Sequence, residues 1–296
     1  MKFIKSLLAT TDFSDNAGNG LARAARIAAE QGAALTLLHV VSASLVERMH
    51  GLFRDAPEDE ANMMAEAGHA LGRLAADITD VHHVEVSWHV KTGVVPAEIL
   101  AAAGGSDLLV MGARGMNPLR DLILGTTAER LLGKWTGRSL VVKRAPQEAY
   151  RRVIVPVDYS ECSAPALEAA LGIAPDAQIW VCHAYDAPFE GRLWMAGVPD
   201  DRIQHYRDQE WQQALAGMER LIAAAGADAA RLARVVEHGD PNRVILDKEE
   251  EHNADLIVIG KHGQSAVEEF FLGSVTRHVL ANSKCDVMVV HEQVAG

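Results

Sequence analysis

Apolar positions along this chain fall into short runs, separated by longer stretches where apolar residues and alanines recur at three- and four-residue spacing. Phe3–Thr10, Leu35–Val41, Leu108–Gly112 and Ser139–Lys143 read as strands. Leu35–Val41 and Leu108–Gly112 are apolar almost throughout, as strands covered on both faces are, whereas His83–Val90 alternates and reads as a half-exposed strand. Helical spacing fills the intervals. One helix runs from a cap at Ser14 or Asp15 to Glu30, with Gly32 as its stop. A long connection after Val41 leads to a second helix, from Pro57-Glu58-Asp59-Glu60 to about Asp77. Pro96 opens a short helix, and another runs from Thr126 to about Leu132.

After a polar joint at Ala145–Glu148 the same order begins again. Val153–Asp158 repeats the first strand, Ser163–Ile173 the first helix, and Ile179–Ala184 the second strand. A loop from Tyr185 to Asp200, a helix to about Ala225 and the strand Leu232–Glu237 follow, and Gly239-Asp240-Pro241 parallels Gly93 to Pro96. The offset between Asp12 and Asp158, Gly112 and Gly260, and Gly125 and Gly273 is nearly constant, which means duplication. The expectation is two domains, 1–146 and 147–296. Strands alternating with helices make each an α/β domain with a doubly wound parallel sheet of Rossmann-like kind. Ligands of such sheets sit beyond the carboxyl ends of the strands. Asp12 and Asp158 end the first strand of their halves and the glycine turns end the fourth, so if those strands are neighbours they share one crevice.

The chemistry is concentrated at those turns. Gly112-Ala113-Arg114-Gly115 is followed by nine residues and Gly125-Thr126-Thr127; Gly260-Lys261-His262-Gly263 is followed by nine residues and Gly273-Ser274. Glycine at a strand exit lets backbone approach a ligand without an intervening Cβ. A Gly-Thr or Gly-Ser pair opening a helix presents unpaired N–H groups and a hydroxyl where the helix dipole favours an anion. This is the chemistry of a phosphate cradle, present twice.

Composition narrows the field. The chain has 296 residues, 49% hydrophobic and 5% aromatic, with a net charge of −12 held almost wholly by the second half. That balance repels a nucleic-acid backbone and excludes general nucleic-acid binding, though not a mononucleotide held by a few N–H donors. No run approaches the roughly 18–20 apolar residues of a membrane span, and the first residues do not form a signal peptide, so the expected location is the cytoplasm. Cys162, Cys182 and Cys285 are odd in number, lack metal-ligand spacing and read as buried or half-buried thiols.

The doubled pattern of Gly, two residues, Gly, nine residues, Gly and Ser or Thr strongly resembles the nucleotide-binding type of the universal stress protein family, in its tandem form. The aspartate after the first strand, His39-Val40 and His183-Ala184 ending the second, and the order of elements extend the resemblance over nearly the whole chain. It implies the adenine nucleotide α-hydrolase-like version of the fold and a role in stress response. It further implies ATP or another adenine nucleotide as ligand, with Mg²⁺. By position, Asp12 and Asp158 would accept hydrogen bonds from the ribose or the adenine side. Val40 and Ala184 would offer backbone groups to the adenine edge, with Met111 and Ile259 beside the base. Gly112, Gly115, Gly125, Thr126 and Thr127, and Gly260, Gly263, Gly273, Ser274 and Val275, would hold the phosphates; Arg114, Lys261 and His262 would add charge. The first half has Thr10-Thr11-Asp12 where the second has Pro156-Val157-Asp158, the proline form of binding members, so the two sites are expected to be unequal. The family's final strands imply an intramolecular pseudo-dimer and a homodimer.

Plainer readings accompany these. Asp12 and Asp158 stand where helix caps stand. His83, Glu85 and His89 share one strand face and read as a solvated edge rather than a metal patch. Asp247–His252 reads as the wet side of a helix. Tyr185, Phe189, Trp194, Tyr206 and Trp211 gather around the long loop of the second half, either packing it down or lining an apolar pocket. No lysine follows either cradle in the register of a Walker NTPase, so at most slow ATP hydrolysis is expected. Asp240 is the only candidate for a phosphoacceptor, and a nucleotide-free scaffold is the remaining rival.

Overall fold

The computed structural model describes residues 4–52, 56–115, 124–187, 190–226, 231–263 and 272–292. It divides into two compact units, Met1–Ala149 with Asp286–Val289, and Tyr150–Cys285 with Val290–Gly296. The first unit runs β1 (Ser6–Thr10), α1 (Asp15–Gln31), β2 (Ala34–Ser42), α2 (Ala43–Leu52), α3 (Ala56–His82), β3 (Val86–Gly93), α4 (Val95–Ala103), β4 (Leu108–Gly112), α5 (Thr126–Lys134) and β5 (Arg138–Val142). Its strands lie in the order β3-β2-β1-β4-β5, all parallel. The central strands are fully buried, which is why they are apolar without alternation.

The second unit runs β6 (Arg152–Pro156), α6 (Ser163–Ile173), β7 (Gln178–Tyr185), α7 (Glu190–Met195), α8 (Asp200–Ala224), β8 (Leu232–His238), α9 (Pro241–Glu251), β9 (Leu256–Gly260) and α10 (Ser274–Asn282), after which the chain enters β10 (Asp286–Val290). Its parallel order is β9-β6-β7-β8. Residues Asp286–Val289 of β10 belong to the first unit, where the strand pairs antiparallel with β5 through Val287↔Val141, Met288↔Leu140 and Val289↔Ser139.

Local signals behave as their chemistry requires at α1. Ser14 is its N-cap, the hydroxyl accepting the Ala17 N–H at 3.3 Å, and Gly32 closes it at φ 62°. Four elements depart from the sequence expectation. The connection after β2 is itself helical, because Ala43–Leu52 is rich in good helix formers even without a proline to announce it. Helix α3 continues to His82 and stops where His83 turns left-handed at φ 55°. Strand β3 therefore starts only at Val86, so His83 and Glu85 precede it and do not share a strand face with His89. In the second half, α7 interrupts the loop expected from Tyr185 to Asp200.

Charge is also placed differently. In α9, Lys248 and Glu249 are buried, so Asp247–His252 is not simply a wet face. Glu249 accepts the N–H groups of Lys284 and Cys285 at 2.6 and 2.7 Å, and Lys248 pairs with Glu237 and Glu251. In the first unit the buried Arg23 of α1 faces Asp286 at 3.3 Å. The same carboxylate accepts the Lys143 N–H at 2.8 Å, just beyond β5.

Candidate functional site

β1 pairs directly with β4 and β6 with β9, so each aspartate lies beside the glycine turn of its own half. The approach is close: a Cβ on Gly115 would stand 2.5 Å from Asp12 Oδ2, and one on Gly263 would stand 2.5 Å from Asp158 Oδ2. Neither aspartate caps a helix. Asp12 Oδ1 accepts the N–H of the true cap, Ser14, at 3.1 Å. Asp158 Oδ1 accepts from the Ser160 N–H at 3.1 Å, the Ser160 hydroxyl at 2.6 Å and the Ser163 hydroxyl at 3.2 Å. These bonds hold one oxygen of each carboxylate and aim the other at the turn.

The glycines divide by role. A Cβ on Gly112 would meet the Asn16 carbonyl at 2.6 Å, and one on Gly260 would meet Cys162 Cβ at 2.6 Å. Those two positions are glycine because the first helix of each half packs onto the turn, a reason the sequence reading did not assign. The later glycines fold the loop back: Gly125 N–H donates to Ala113 O at 2.8 Å and Gly273 N–H to Lys261 O at 2.9 Å. These two amides are therefore not ligand donors. The next amides are different. Neither α5 nor α10 has a side-chain cap, and among the described residues no acceptor faces the N–H groups of residues 126–128 or 274–276. The first turn of each helix thus opens toward the crevice with its donors and its positive dipole end available.

The first crevice has a volume of about 840 Å³, the second about 1000 Å³. Asp12, Val40, Met111, Arg114, Thr126 and Thr127 line the first with its three glycines. Pro156, Asp158, Ala184, Ile259, His262, Ser274 and Val275 line the second with theirs. Lys261 does not: it is 1% exposed and turned into the interior. The loops 116–123 and 264–271 lie outside the described residues.

Two residues per half were given no role of their own by the sequence reading. His39 Nδ1 lies 2.8 Å from Thr11 O, and His183 Nδ1 lies 2.7 Å from Val157 O, bracing the strand exit that carries the aspartate. Phe13 and Tyr159, directly after the aspartates, turn left-handed at φ 64° and 63° and pack, tilted, against those histidines at 4.5 and 4.3 Å between ring centroids. The signal was present, since an aromatic follows each aspartate and a histidine ends each second strand at matching positions. The halves differ behind this brace. Tyr159 donates its hydroxyl to Ala214 O at 2.5 Å, which Phe13 cannot do. Thr276 donates to Gly260 O at 2.7 Å, where the first half has Ala128.

Burial pushes the Tyr159 phenol up to about 12 and the Cys182 thiol up to about 12. Both groups are raised in the folded state, so the stability they contribute is fully present below their unfolded values. It is lost as pH climbs toward about 12, first through the thiol and then through the phenol. At neutral pH, Cys182 is expected to resist thiol alkylation in the folded protein and to react once unfolded, as mass spectrometry of iodoacetamide-treated protein would show. Rapid modification without denaturant would contradict it.

Other candidates fall away. Asp240 caps α9, accepting the N–H groups of Asn242 and Arg243 at 2.9 and 3.2 Å. The aromatics of the second half are only partly described. Tyr185 packs on His238 at 5.4 Å between ring centroids, Trp194 is 70% exposed, and Phe189 lies outside the described residues. The small cavity beside Trp194, about 390 Å³, is bordered by Glu190, Asp200 and Arg207 as well as by Ile203, so its walls are mixed. Among the described residues no helix is long and apolar enough to cross a membrane, and no group of three His, Cys, Asp or Glu side chains forms a metal site.

Two parallel-sheet units, each with a carboxylate and an uncapped helix start over its strand exits, define a tandem Rossmann-like α/β protein with one crevice per half. The chain belongs to the universal stress protein family, whose model matches residues 4–143 and again 149–291. A universal stress protein of Mycolicibacterium smegmatis is 27% identical over 301 residues, covering 96% of each chain. A universal stress protein of Methanocaldococcus jannaschii is 30% identical over 150 residues, 50% of this chain and 85% of its own. The crystal structure of a universal stress protein from Archaeoglobus fulgidus has the same fold, with a TM-score of 0.73 over 97% of this chain and 98% of that one, at 22% identity.

Proposed function

We propose that this protein binds an adenine nucleotide, ATP with Mg²⁺, in both crevices and acts as a ligand-dependent regulator in a cytoplasmic stress response. The observation that carries the reading is the pair of uncapped helices whose first-turn amides open into crevices bordered by a carboxylate. Such a site attracts the anionic tail of a nucleotide at one end and offers an acceptor for ribose hydroxyls at the other. In this reading the halves 1–146 and 147–296 work as separate binding domains. Asp12 and Asp158 take the ribose, while the backbone of Val40 and Ala184 meets the adenine edge. Met111 and Ile259 flank the base, and Pro156 shapes the second strand exit. The amides and hydroxyls of Thr126, Thr127, Ser274 and Val275 take the phosphates beside the glycines, with Arg114 and His262 adding positive charge. Mg²⁺ would neutralise the phosphates. In this reading regulation rather than turnover is the expected output, since no lysine follows either cradle in the register of a Walker NTPase.

Calorimetric titration with ATP and Mg²⁺ tests this. The expected result is saturable binding with two equivalents per chain and unequal affinities, accompanied by a rise in melting temperature. Mass spectrometry of denatured protein should release an adenine nucleotide carried through purification. Absence of heat, of thermal shift and of retained nucleotide would leave a ligand-free scaffold as the function.

A further inference from the structure

The two crevices differ on one wall. The first continues past Asp12 onto α3, where Met63, Ala67, Ala70 and Arg73 line it from one side of the helix, facing Phe13 and Leu45. Among the described residues, no part of α8 lines the second. The internal repeat aligns Phe13 with Tyr159, Ala67 with Ala214 and Ala70 with Gly217. In the second half the Tyr159 hydroxyl reaches the Ala214 carbonyl at 2.5 Å, and its ring lies so near α8 that a Cβ on Gly217 would meet it at 3.0 Å. The same backbone conformation delivers both rings, so two differences decide the outcome: the hydroxyl, and glycine at 217, which leaves room for the ring where the first half has Ala70. Tyrosine spans to its helix and seals the gap. Phenylalanine has no donor to anchor it there, and Phe13 stays 40% exposed.

We propose that the first crevice contains a second compartment, between Phe13, Leu45 and the Met63–Arg73 side of α3, which receives an apolar group carried on the ribose of the bound nucleotide. The inference rests on the nucleotide reading and adds a ligand class to it: adenine nucleotides esterified with an aromatic or short acyl group. Continuity selects this occupant. Asp12, assigned to the ribose, immediately precedes Phe13, and both line the same crevice. The compartment walls are phenyl, thioether, leucine and alanine, which favour a group without polar demands, while Glu66 and Arg73 border it with charges that stay solvated. The second crevice, sealed by Tyr159, takes the unsubstituted nucleotide only.

The test compares ATP with ATP bearing an N-methylanthraniloyl group on its ribose, in full-length protein with Gly263→Val closing the second crevice. Burying the aromatic group should tighten binding about tenfold or more over ATP. Ala70→Leu should remove that preference while leaving ATP affinity unchanged, and Phe13→Tyr combined with Ala70→Gly should also remove it by reproducing the seal. With Gly115→Val closing the first crevice instead, Tyr159→Phe should create a preference in the second. A preference that survives both first-half substitutions, or is absent from the parent, overturns the compartment while ATP binding itself upholds the nucleotide site. Loss of ATP binding in the Gly263→Val background defeats the nucleotide reading and the compartment with it. Binding of free N-methylanthranilate irrespective of ATP would overturn the assigned occupant.

Discussion

The double variant Gly115→Val, Gly263→Val is expected to lose ATP binding at both crevices and to remain folded. Each new Cβ would stand 2.5 Å from the outward oxygen of Asp12 or Asp158. That oxygen belongs to a side chain, so the clash is relieved by swinging the carboxylate away, and the valine methyls fill the space it leaves. Each charged hydrogen bond lost with the ribose costs about 1.5–3 kcal/mol, so affinity should fall by about 100-fold or more in each crevice. Either single variant should halve the stoichiometry seen by calorimetry. The neighbouring glycine makes an internal contrast. Gly112→Ala would drive a methyl to 2.6 Å from the Asn16 backbone carbonyl, which cannot swing aside, so its effect should appear as lost stability before lost affinity. ATP binding by the double variant at the parent's affinity would show that the aspartate–glycine pairs are not the site.

Asp286→Ala should be the most destabilising single truncation, lowering the unfolding free energy by about 3–5 kcal/mol. Asp286 is 2% exposed and Arg23, at 3.3 Å, is 6% exposed as a residue, so removing the carboxylate leaves a guanidinium buried without that counter-charge. It also strips the acceptor from the Lys143 N–H. Asp286→Asn, which keeps a carbonyl acceptor and drops the charge, should fall between the two. Replacing the pair together, Arg23→Met with Asp286→Asn, should cost less than Asp286→Ala, because no charge is then stranded. Urea denaturation followed by circular dichroism reads all three; a loss below about 1 kcal/mol for Asp286→Ala would mean the pair is screened or replaced by other partners.

Much of the geometry of the two crevices was legible in the chain because it depends on local rules. A strand buried on both faces must be apolar throughout, a helix start without a capping side chain must leave amides open, and a repeat shows itself by constant spacing. Those rules located β1, β4, β6 and β9, placed the helix starts at Thr126 and Ser274, and brought each aspartate to its glycine turn. Where several weak signals compete, they decided less. Ala43–Leu52 carries no helix-opening proline, and the stop of α3 at His83 is a non-glycine residue in a left-handed conformation. Glu249 looked solvated because nothing nearby in sequence asks for a carboxylate; its partners, Lys284 and Cys285, come from a remote stretch of chain.

The sequence by itself therefore determined the duplication, the parallel α/β plan of each half and the glycine turns that stand beside the aspartates at the strand exits. These follow from periodicity, glycine and capping chemistry within a few residues. Only the tertiary structure decided why Gly112 and Gly260 are glycine, that Lys261 turns inward, and that the Tyr159 hydroxyl bonds to α8 where Phe13 has no donor. Each of those outcomes depends on which distant backbone lies within van der Waals or hydrogen-bond reach, and that distance is set by helices packing on a sheet.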